Sequence, residues 1–570
     1  MTRQSRFVCR PALGWPTRRA ARQAILAAAA VACGALTACG GGKGADTLAG
    51  ATASDDLPIV ETTGGAIRGR LRDKVFEFRG VPYGADTGGQ GRFRPPRPVP
   101  AWSGVLDAFE NAPMCPQVRD AAAPGDLMSV GLREKGDQKI TAADVSEDCL
   151  TLKVTTPALD DGARPVMVWL HGGGFAFGGG MALVADGGNL VRKGDIVHVA
   201  VNHRLGAFGY FYLADLLGPD YAESGNVGML DIVLALEWIR DNIAKFGGNP
   251  NNVTIYGNSG GGAKVSTLMA MPQARGLFAK AIIQSGSRYI TVRDAKAARE
   301  HSARAIAHLG LDREKAGELL TMPMERLLEV MEPEAQLRGG FIPVVDGSVL
   351  QRQPWSPSAP AESADVPLIV GFSETEPTFM FGRNDPIFDD VEVLRARVRE
   401  VLGPKADLAQ IERRYDELLP GQTAHRRLFM IWADAQDVNA GITQALRRVR
   451  QEGAAPVYVY QITFDTPVAD GRWHSPHTIE LPFIHDDLKA VPSMLGEDVD
   501  HMQPLADLMS SMWLSFARTG DPNVPGAPRW DPFDEQRQPV MMFDFETEQG
   551  DSPFAERLKL LADIGLYPMR

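Results

Sequence analysis

The chain has 570 residues, 44% of them hydrophobic and 23% charged, and a net charge of −12. That composition excludes a disordered or fibrous protein, and the length suits two or three domains or one large α/β domain. The first 38 residues hold six arginines and no acid, which leaves the remainder at −18. A body without clustered cations cannot neutralise phosphates, which excludes nucleic acid as partner or substrate.

The chain opens on an address. Residues 1–23 are arginine-rich, and Ala24–Ala38 is an unbroken run of 15 small and apolar residues. A spanning helix needs about 20, so the run suits the apolar core of a secretion signal instead. It ends Leu36-Thr37-Ala38-Cys39-Gly40, which resembles the lipobox of bacterial lipoprotein precursors, where the cysteine becomes the lipidated first residue. The alternative is an ordinary cleavable signal that happens to contain Cys39. The chain then divides into a lipoprotein signal at 1–38, a flexible Gly-, Ala- and Asp-rich tether at 39–57, and one domain at 58–570. The expected location is the cell envelope, with the lipid anchor as the only membrane contact and the domain on the periplasmic or extracellular face. Gly40 is not the aspartate that retains such proteins at an inner membrane, so a Gram-negative host implies the outer one. Of five cysteines, Cys9, Cys33 and Cys39 fall in this region. Cys115 and Cys149 remain, and in an oxidising compartment they are expected to form one disulfide, against the alternative of two buried thiols.

Along the body, short β-rich runs alternate with helical patterns. The runs are Pro165–Leu170, Asp195–Asn202, Val253–Tyr256, Ala281–Gln284, Val366–Val370 and Pro456–Gln461. They are nearly continuously apolar, as strands buried on both faces of a mostly parallel sheet are. Asp231–Lys245 places Ile232, Leu236, Ile239 and Ile243 on one helical stripe, which Gly247-Gly248 ends. The alternation predicts a doubly wound α/β fold. The segments near 291–355 and 384–453 are richer in helix and charge, and are expected to be insertions on the carboxyl side of the sheet.

Strand Val253–Tyr256 runs into Gly257-Asn258-Ser259-Gly260-Gly261-Gly262, followed by the helix-compatible stretch Ala263–Met271. This is G-x-S-x-G in a strand–turn–helix context. Such a turn strains the backbone of Ser259, and side chains at 257 or 261 would collide with the neighbouring strand and helix. Ser259 is therefore the candidate nucleophile. A serine nucleophile needs a base and preorganised donors for an oxyanion. His171-Gly172-Gly173-Gly174-Phe175 follows strand Pro165–Leu170, and its glycines let backbone N–H groups converge. A phosphate loop would end in Gly-Lys-Ser/Thr, which is absent.

With these motifs the sequence resembles the type-B carboxylesterase/lipase family, which includes cholinesterases and bacterial nitrobenzyl esterases on the α/β-hydrolase fold. The likeness runs from about residue 58 to 545. It rests on Phe78-Arg79-Gly80-Val81-Pro82-Tyr83, Arg92-Phe93 with Trp102, Glu147-Asp148-Cys149-Leu150, and Asn202-His203-Arg204-Leu205-Gly206. It continues through Gly225-Asn226-Val227-Gly228, Phe246-Gly247-Gly248-Asn249-Pro250, Gln284-Ser285-Gly286, and Phe516-Ala517-Arg518-Thr519-Gly520-Asp521-Pro522-Asn523. The resemblance implies a large central sheet with helices on both faces and helical insertions over the site. It implies an oxyanion hole from the N–H groups of Gly173, Gly174 and Gly260. The triad acid is Glu376, in Gly371-Phe372-Ser373-Glu374-Thr375-Glu376, with Glu374 the alternative; Pro377 departs from the family's usual Gly. The base is His477 of His477-Thr478-Ile479-Glu480-Leu481-Pro482-Phe483, with His474 the alternative. Relatives also hydrogen-bond the Ser of Q-S-G to the acid and pair the Arg of R-F with the Glu of E-D-C, which implies Ser285–Glu376 and Arg92–Glu147.

The implied activity is serine hydrolysis of small carboxylic esters through an acyl-enzyme, with no cofactor. No metal is expected, since Pro476 keeps His474 and His477 from aligning on one helix and no other ligand cluster accompanies them. Neutral esters are expected: the span between Cys115 and Cys149 holds no Trp, Tyr or Phe, and Asn258 stands where cholinesterases carry a glutamate. A specialised lipase, polyester hydrolase or toxin-ester hydrolase would share every one of these residues. A catalytically silent adhesion protein of the same fold would have lost the Ser or the His.

Overall fold

Eleven strands of the computed structural model form one mixed sheet. Residues 54–117, 144–180, 186–332, 337 and 340–565 are described, and all of them belong to one compact unit, Ala51–Arg570. The signal, Cys39 and most of the tether lie outside the described residues. In chain order the strands are β1 (Arg70–Arg72), β2 (Val75–Pro82), β3 (Thr151–Thr156), β4 (Arg164–Leu170), β5 (Val197–Val201) and β6 (Gly248–Asn258). Then come β7 (Lys280–Gln284), β8 (Leu368–Ser373), β9 (Val457–Ile462), β10 (Pro539–Phe543) and β11 (Glu548–Asp551). Their spatial order is β11-β10-β9-β8-β7-β6-β4-β5-β3-β2-β1. From β5 to β10 every neighbouring pair is parallel; β3, β2 and β1 on one side and β11 on the other are antiparallel. This is the α/β-hydrolase architecture.

Period-2 alternation explains why the parallel strands read as unbroken apolar runs. In β4, Val166, Val168 and Leu170 enter one core, shared with Ile232, Leu236 and Ile239 of helix α1 (Val227–Asn242). Met167 and Trp169 enter the opposite core. α1 starts four residues before the expected Asp231, because its first turn is itself buried. It gives way to a 3₁₀ turn that stops at Gly247, whose φ of 77° is left-handed. Asp231 anchors α1 by accepting from Arg204 Nε at 2.8 Å and Nη2 at 2.6 Å, both side chains buried.

Helix α2 (Gly260–Leu268) follows β6 directly and ends before the expected Met271. Helix α3 (Ala295–His308) belongs to the first inserted region. In the second, α4 (Val391–Leu402), α5 (Leu408–Leu418) and α6 (Ala424–Ala433) close over a satellite core of Leu394, Val398, Ile411, Tyr415 and Leu428. A π-helical turn, Asp434–Val438, then leads into α7 (Asn439–Val449). The long helix α8 (Gln503–Thr519) covers the second face of the sheet, with Met509, Trp513 and Phe516 buried. Among the described residues no helix is long and apolar enough to cross a membrane. Cys115 and Cys149 are joined by a disulfide.

Candidate active site

The turn between β6 and α2 holds Ser259 at φ 59°, ψ −124°, a conformation no unstrained L-residue prefers. Two contacts explain why the turn needs glycine. A Cβ on Gly257 would lie 2.4 Å from the Leu170 carbonyl oxygen, and one on Gly261 would lie 2.0 Å from the same atom. The end of β4 therefore presses directly on the turn. Ser259 is fixed from below by its N–H, which donates to the Gln284 carbonyl at 2.8 Å, while its own carbonyl accepts from Ala263 N–H at 2.9 Å. Its side chain stands half-buried at the N-terminal end of α2, where the helix dipole favours negative charge.

The glycine loop lies across from it. Gly173 and Gly174 have φ of 82° and 61°, which turns their N–H groups away from the loop's own carbonyls. Neither donates a backbone hydrogen bond among the described residues. The loop and α2 touch: a Cβ on Gly260 would come within 2.4 Å of Gly174 N. The three N–H groups of Gly173, Gly174 and Gly260 thus come from two segments that meet beside Ser259.

Glu376 opens a 3₁₀ turn, Glu376–Met380, just past β8. Pro377 sits at its second position, where a missing N–H costs nothing. Ser373 N–H donates to Glu376 Oε1 at 2.7 Å, and His477 Nδ1 donates to Glu376 Oε2. The acid turn and the histidine turn are stapled together. Thr375 Oγ1 donates to the Ser475 carbonyl at 2.9 Å and Thr378 Oγ1 to the Trp473 carbonyl at 2.7 Å. The ring of Phe379 packs edge-on against His477, with centroids 4.9 Å apart. Among the described residues Ser259 Oγ makes no hydrogen bond of 3.5 Å or less to His477. Such bonds commonly tighten only when substrate is bound. The link between the two is made behind them: Asn258 Nδ2 donates at 2.7 Å to Oε1 of Glu480, three residues past His477.

The alternatives are engaged elsewhere. Glu374 accepts from Arg426 Nε at 2.9 Å, and His474 Nδ1 lies 3.7 Å from Asp465. Arg92 Nε donates to Glu147 Oε2 at 2.8 Å, a pair buried at its arginine end. Ser285 is close enough to Glu376 to favour the ionised acid, but its Oγ has no partner in hydrogen-bond geometry. Ser285 thus stands beside the acid, as the resemblance implies. The Ser285 backbone is held at φ 49° with its N–H on the Gly371 carbonyl at 2.7 Å.

Electrostatics polarise the Glu376–His477 pair. Burial opposes ionisation of Glu376, but the charge and hydrogen bond of His477, with help from Ser285 and Ser373 N–H, hold the acid below its ordinary range. Burial likewise opposes a charged His477, and Glu376, Glu480 and Asp437 outweigh it and raise the imidazole above its usual value. Two acids in this environment escape a motif-based reading of function. Glu480 is pushed up to about 7 by burial and by the charge of Glu376. Asp437, on the π-helical turn, is ion-paired with Arg288. Glu480 is visible in the H-x-x-E motif, whereas nothing local in sequence marks Asp437. Among the described residues no group of three or more His, Cys, Asp or Glu is placed to hold a metal ion.

The sequence matches the carboxylesterase family model over residues 56–561. This chain belongs to the carboxylesterase family. It is 32% identical to the para-nitrobenzyl esterase of Bacillus subtilis (strain 168) over 525 residues, covering 89% of this chain and 99% of that one. Among solved structures it is similar to the Geobacillus stearothermophilus carboxylesterase EST55 at pH 6.2, with TM-score 0.74 and 32% identity over 88% of this chain and 99% of that one. It is also similar to an esterase from anaerobic Clostridium hathewayi described as hydrolysing aliphatic aromatic polyesters. There the TM-score is 0.75 and the identity 30%, over 90% of this chain and 99% of that one. Membership makes this carboxylesterase-family chain a carboxylic ester hydrolase.

Proposed function

We propose that the chain hydrolyses neutral carboxylic esters through an acyl-enzyme on Ser259. The observation that carries this is the Glu376–His477 hydrogen bond, set beside a strained serine and a pair of free glycine N–H groups. His477 takes the proton of Ser259 as Oγ attacks the ester carbonyl. The N–H groups of Gly173, Gly174 and Gly260 receive the oxyanion, and His477 returns the proton to the departing alcohol. Water then repeats the sequence on the acyl-enzyme. Glu376 holds the imidazole tautomer and stabilises the imidazolium.

Preference for neutral esters is supported by what stands beside the serine. Asn258 is uncharged and its amide is committed to Glu480. Glu480 is pushed up to about 7 by burial and by Glu376, which weakens it as a counter-charge for an ammonium group. A desolvated cation–π contact, worth about 2 kcal/mol, has no aromatic donor in the span between Cys115 and Cys149. A choline ester should therefore give a kcat/KM no higher than its uncharged tert-butyl isostere; a clear preference for the cation would contradict the assignment. Fluorophosphonate labelling of wild type but not of Ser259→Ala tests the nucleophile, and a panel graded in acyl and alcohol length separates a general esterase from a lipase or polyester hydrolase.

We also infer export and lipid anchoring through Cys39, from the arginine-rich start, the apolar run and the lipobox-like sequence. Two or three acyl chains suffice for stable attachment. Cys39→Ala should release the enzyme from membranes or block its processing, and a wild-type protein cleaved elsewhere and wholly soluble would contradict the anchor.

A further inference from the structure

The two halves of the oxyanion hole come from different segments, and something must hold them in register. Gly260 opens α2, while Gly173 and Gly174 follow β4. Among the described residues one side-chain hydrogen bond joins α2 to the glycine loop: Lys264 Nζ donates to the His171 carbonyl at 2.8 Å. Lys264 lies one turn along the helix from Gly260, and His171 immediately precedes the glycines. The rest of the loop is tied to other parts of the fold. Gly178 exchanges two hydrogen bonds with the Gln117 side chain, each 2.8 Å, and the Phe175 carbonyl accepts from Gly206 N–H at 2.7 Å.

We propose that Lys264 is a positioning residue of the oxyanion hole, holding the His171 carbonyl so that the Gly173 and Gly174 donors stay aligned with Gly260 and Ser259. The proposal rests on the serine-esterase mechanism above. Lysine is almost never fully buried unless paired, yet Lys264 has no exposed surface. Burial lowers its pKa, with no carboxylate contributing, and the His171 carbonyl is the hydrogen-bond acceptor its amine finds among the described residues. The amine also lies 5.9 Å from the centre of the Phe175 ring, inside the loop it anchors. Methionine would fill similar space without burying a polar atom. Lys264 touches neither substrate nor reacting atoms; its effect is on where the donors stand, and a displacement of about 1 Å there costs about 100-fold in rate.

The test compares Lys264→Met with wild type on p-nitrophenyl acetate. It adds inhibition by a trifluoromethyl ketone, which adds Ser259 Oγ to its carbonyl carbon and places an oxyanion in the hole, and by the matching unactivated ketone. We expect kcat to fall about 10–100-fold with KM changed less than about threefold. Trifluoromethyl ketone inhibition should weaken by a similar factor while the plain ketone is unaffected. Lys264→Gln, which keeps a shorter N–H donor, should recover part of the loss. Wild-type kcat in Lys264→Met, equal weakening of both ketones, or a loss carried by KM alone would each overturn the proposal. If Lys264→Met does not fold, the same kcat-against-KM split and ketone comparison in Lys264→Gln decide it. Stoichiometric fluorophosphonate labelling of the variant keeps this apart from a failure of the mechanism itself, which would show as activity surviving in Ser259→Ala.

Discussion

Two histidines three residues apart have different fates because of what their rings meet. His477 is bonded to Glu376 and His474 faces Asp465. Ser259→Ala or His477→Ala should lower kcat by about 10⁴–10⁶, since the members act as a unit, and His474→Ala should change it far less; the opposite ranking in steady-state kinetics would reassign the base. The pH profile follows from the same pair. His477 must be neutral to accept a proton, so kcat/KM rises as pH passes its pKa, which Glu376 holds above the usual histidine value despite burial. Glu376→Gln removes the charge that stabilises the imidazolium and leaves burial, which favours the neutral ring. The acidic limb should therefore move to lower pH while the plateau falls. A limb that stays in place or moves upward would mean that another acid sets the histidine.

At the scale of elements, the nucleophile turn is defined by backbone-to-backbone contact. Gly261→Ala places a methyl carbon 2.0 Å from the Leu170 carbonyl, where neither strand nor helix can give way. We expect activity to drop more than about 100-fold, or soluble expression to fail, as a strained core site should; near-normal kinetics would show that β4 and the turn can part. The same contact explains why this region was readable: glycines at 257 and 261 have no other purpose in a strand–turn–helix unit. The parallel strands were legible because both their faces are buried. The antiparallel edge was not. β3 reads Thr-Leu-Lys-Val-Thr-Thr yet is wholly buried, with Lys153 ion-paired to Glu77 at 3.4 Å and to Asp186, and such long-range pairing leaves no local pattern. β8 runs three residues past Val370 because Gly371 lies under the Tyr460 ring, where a Cβ would approach to 1.9 Å; a glycine that reads as a strand end is here a close approach. Lys264 carried a legible oddity, a lysine in the middle of a small-residue helix, but its acceptor comes from 93 residues away.

For the whole molecule, the disulfide and the site share one neighbourhood. Cys115 and Cys149 are 34 residues apart in sequence, and closing such a loop is worth about 3–4 kcal/mol in the chain-entropy account. Denaturant unfolding with and without reductant should differ by up to that amount, and thiol counting on the denatured, unreduced domain should find neither cysteine free. Equal stability in both conditions would mean that native strain cancels the gain. Gln117, two residues past Cys115, holds Gly178 of the glycine loop, which places the disulfide next to an anchor of that loop. The central claim is that ester cleavage passes through Ser259, and it is tested most directly by mass spectrometry of the enzyme quenched in acid during turnover of a slowly deacylating neutral p-nitrophenyl ester. The expected result is one acyl group per chain, on the peptide containing Ser259 and absent from Ser259→Ala. An acyl group on another residue, or undiminished turnover in Ser259→Ala, would contradict it.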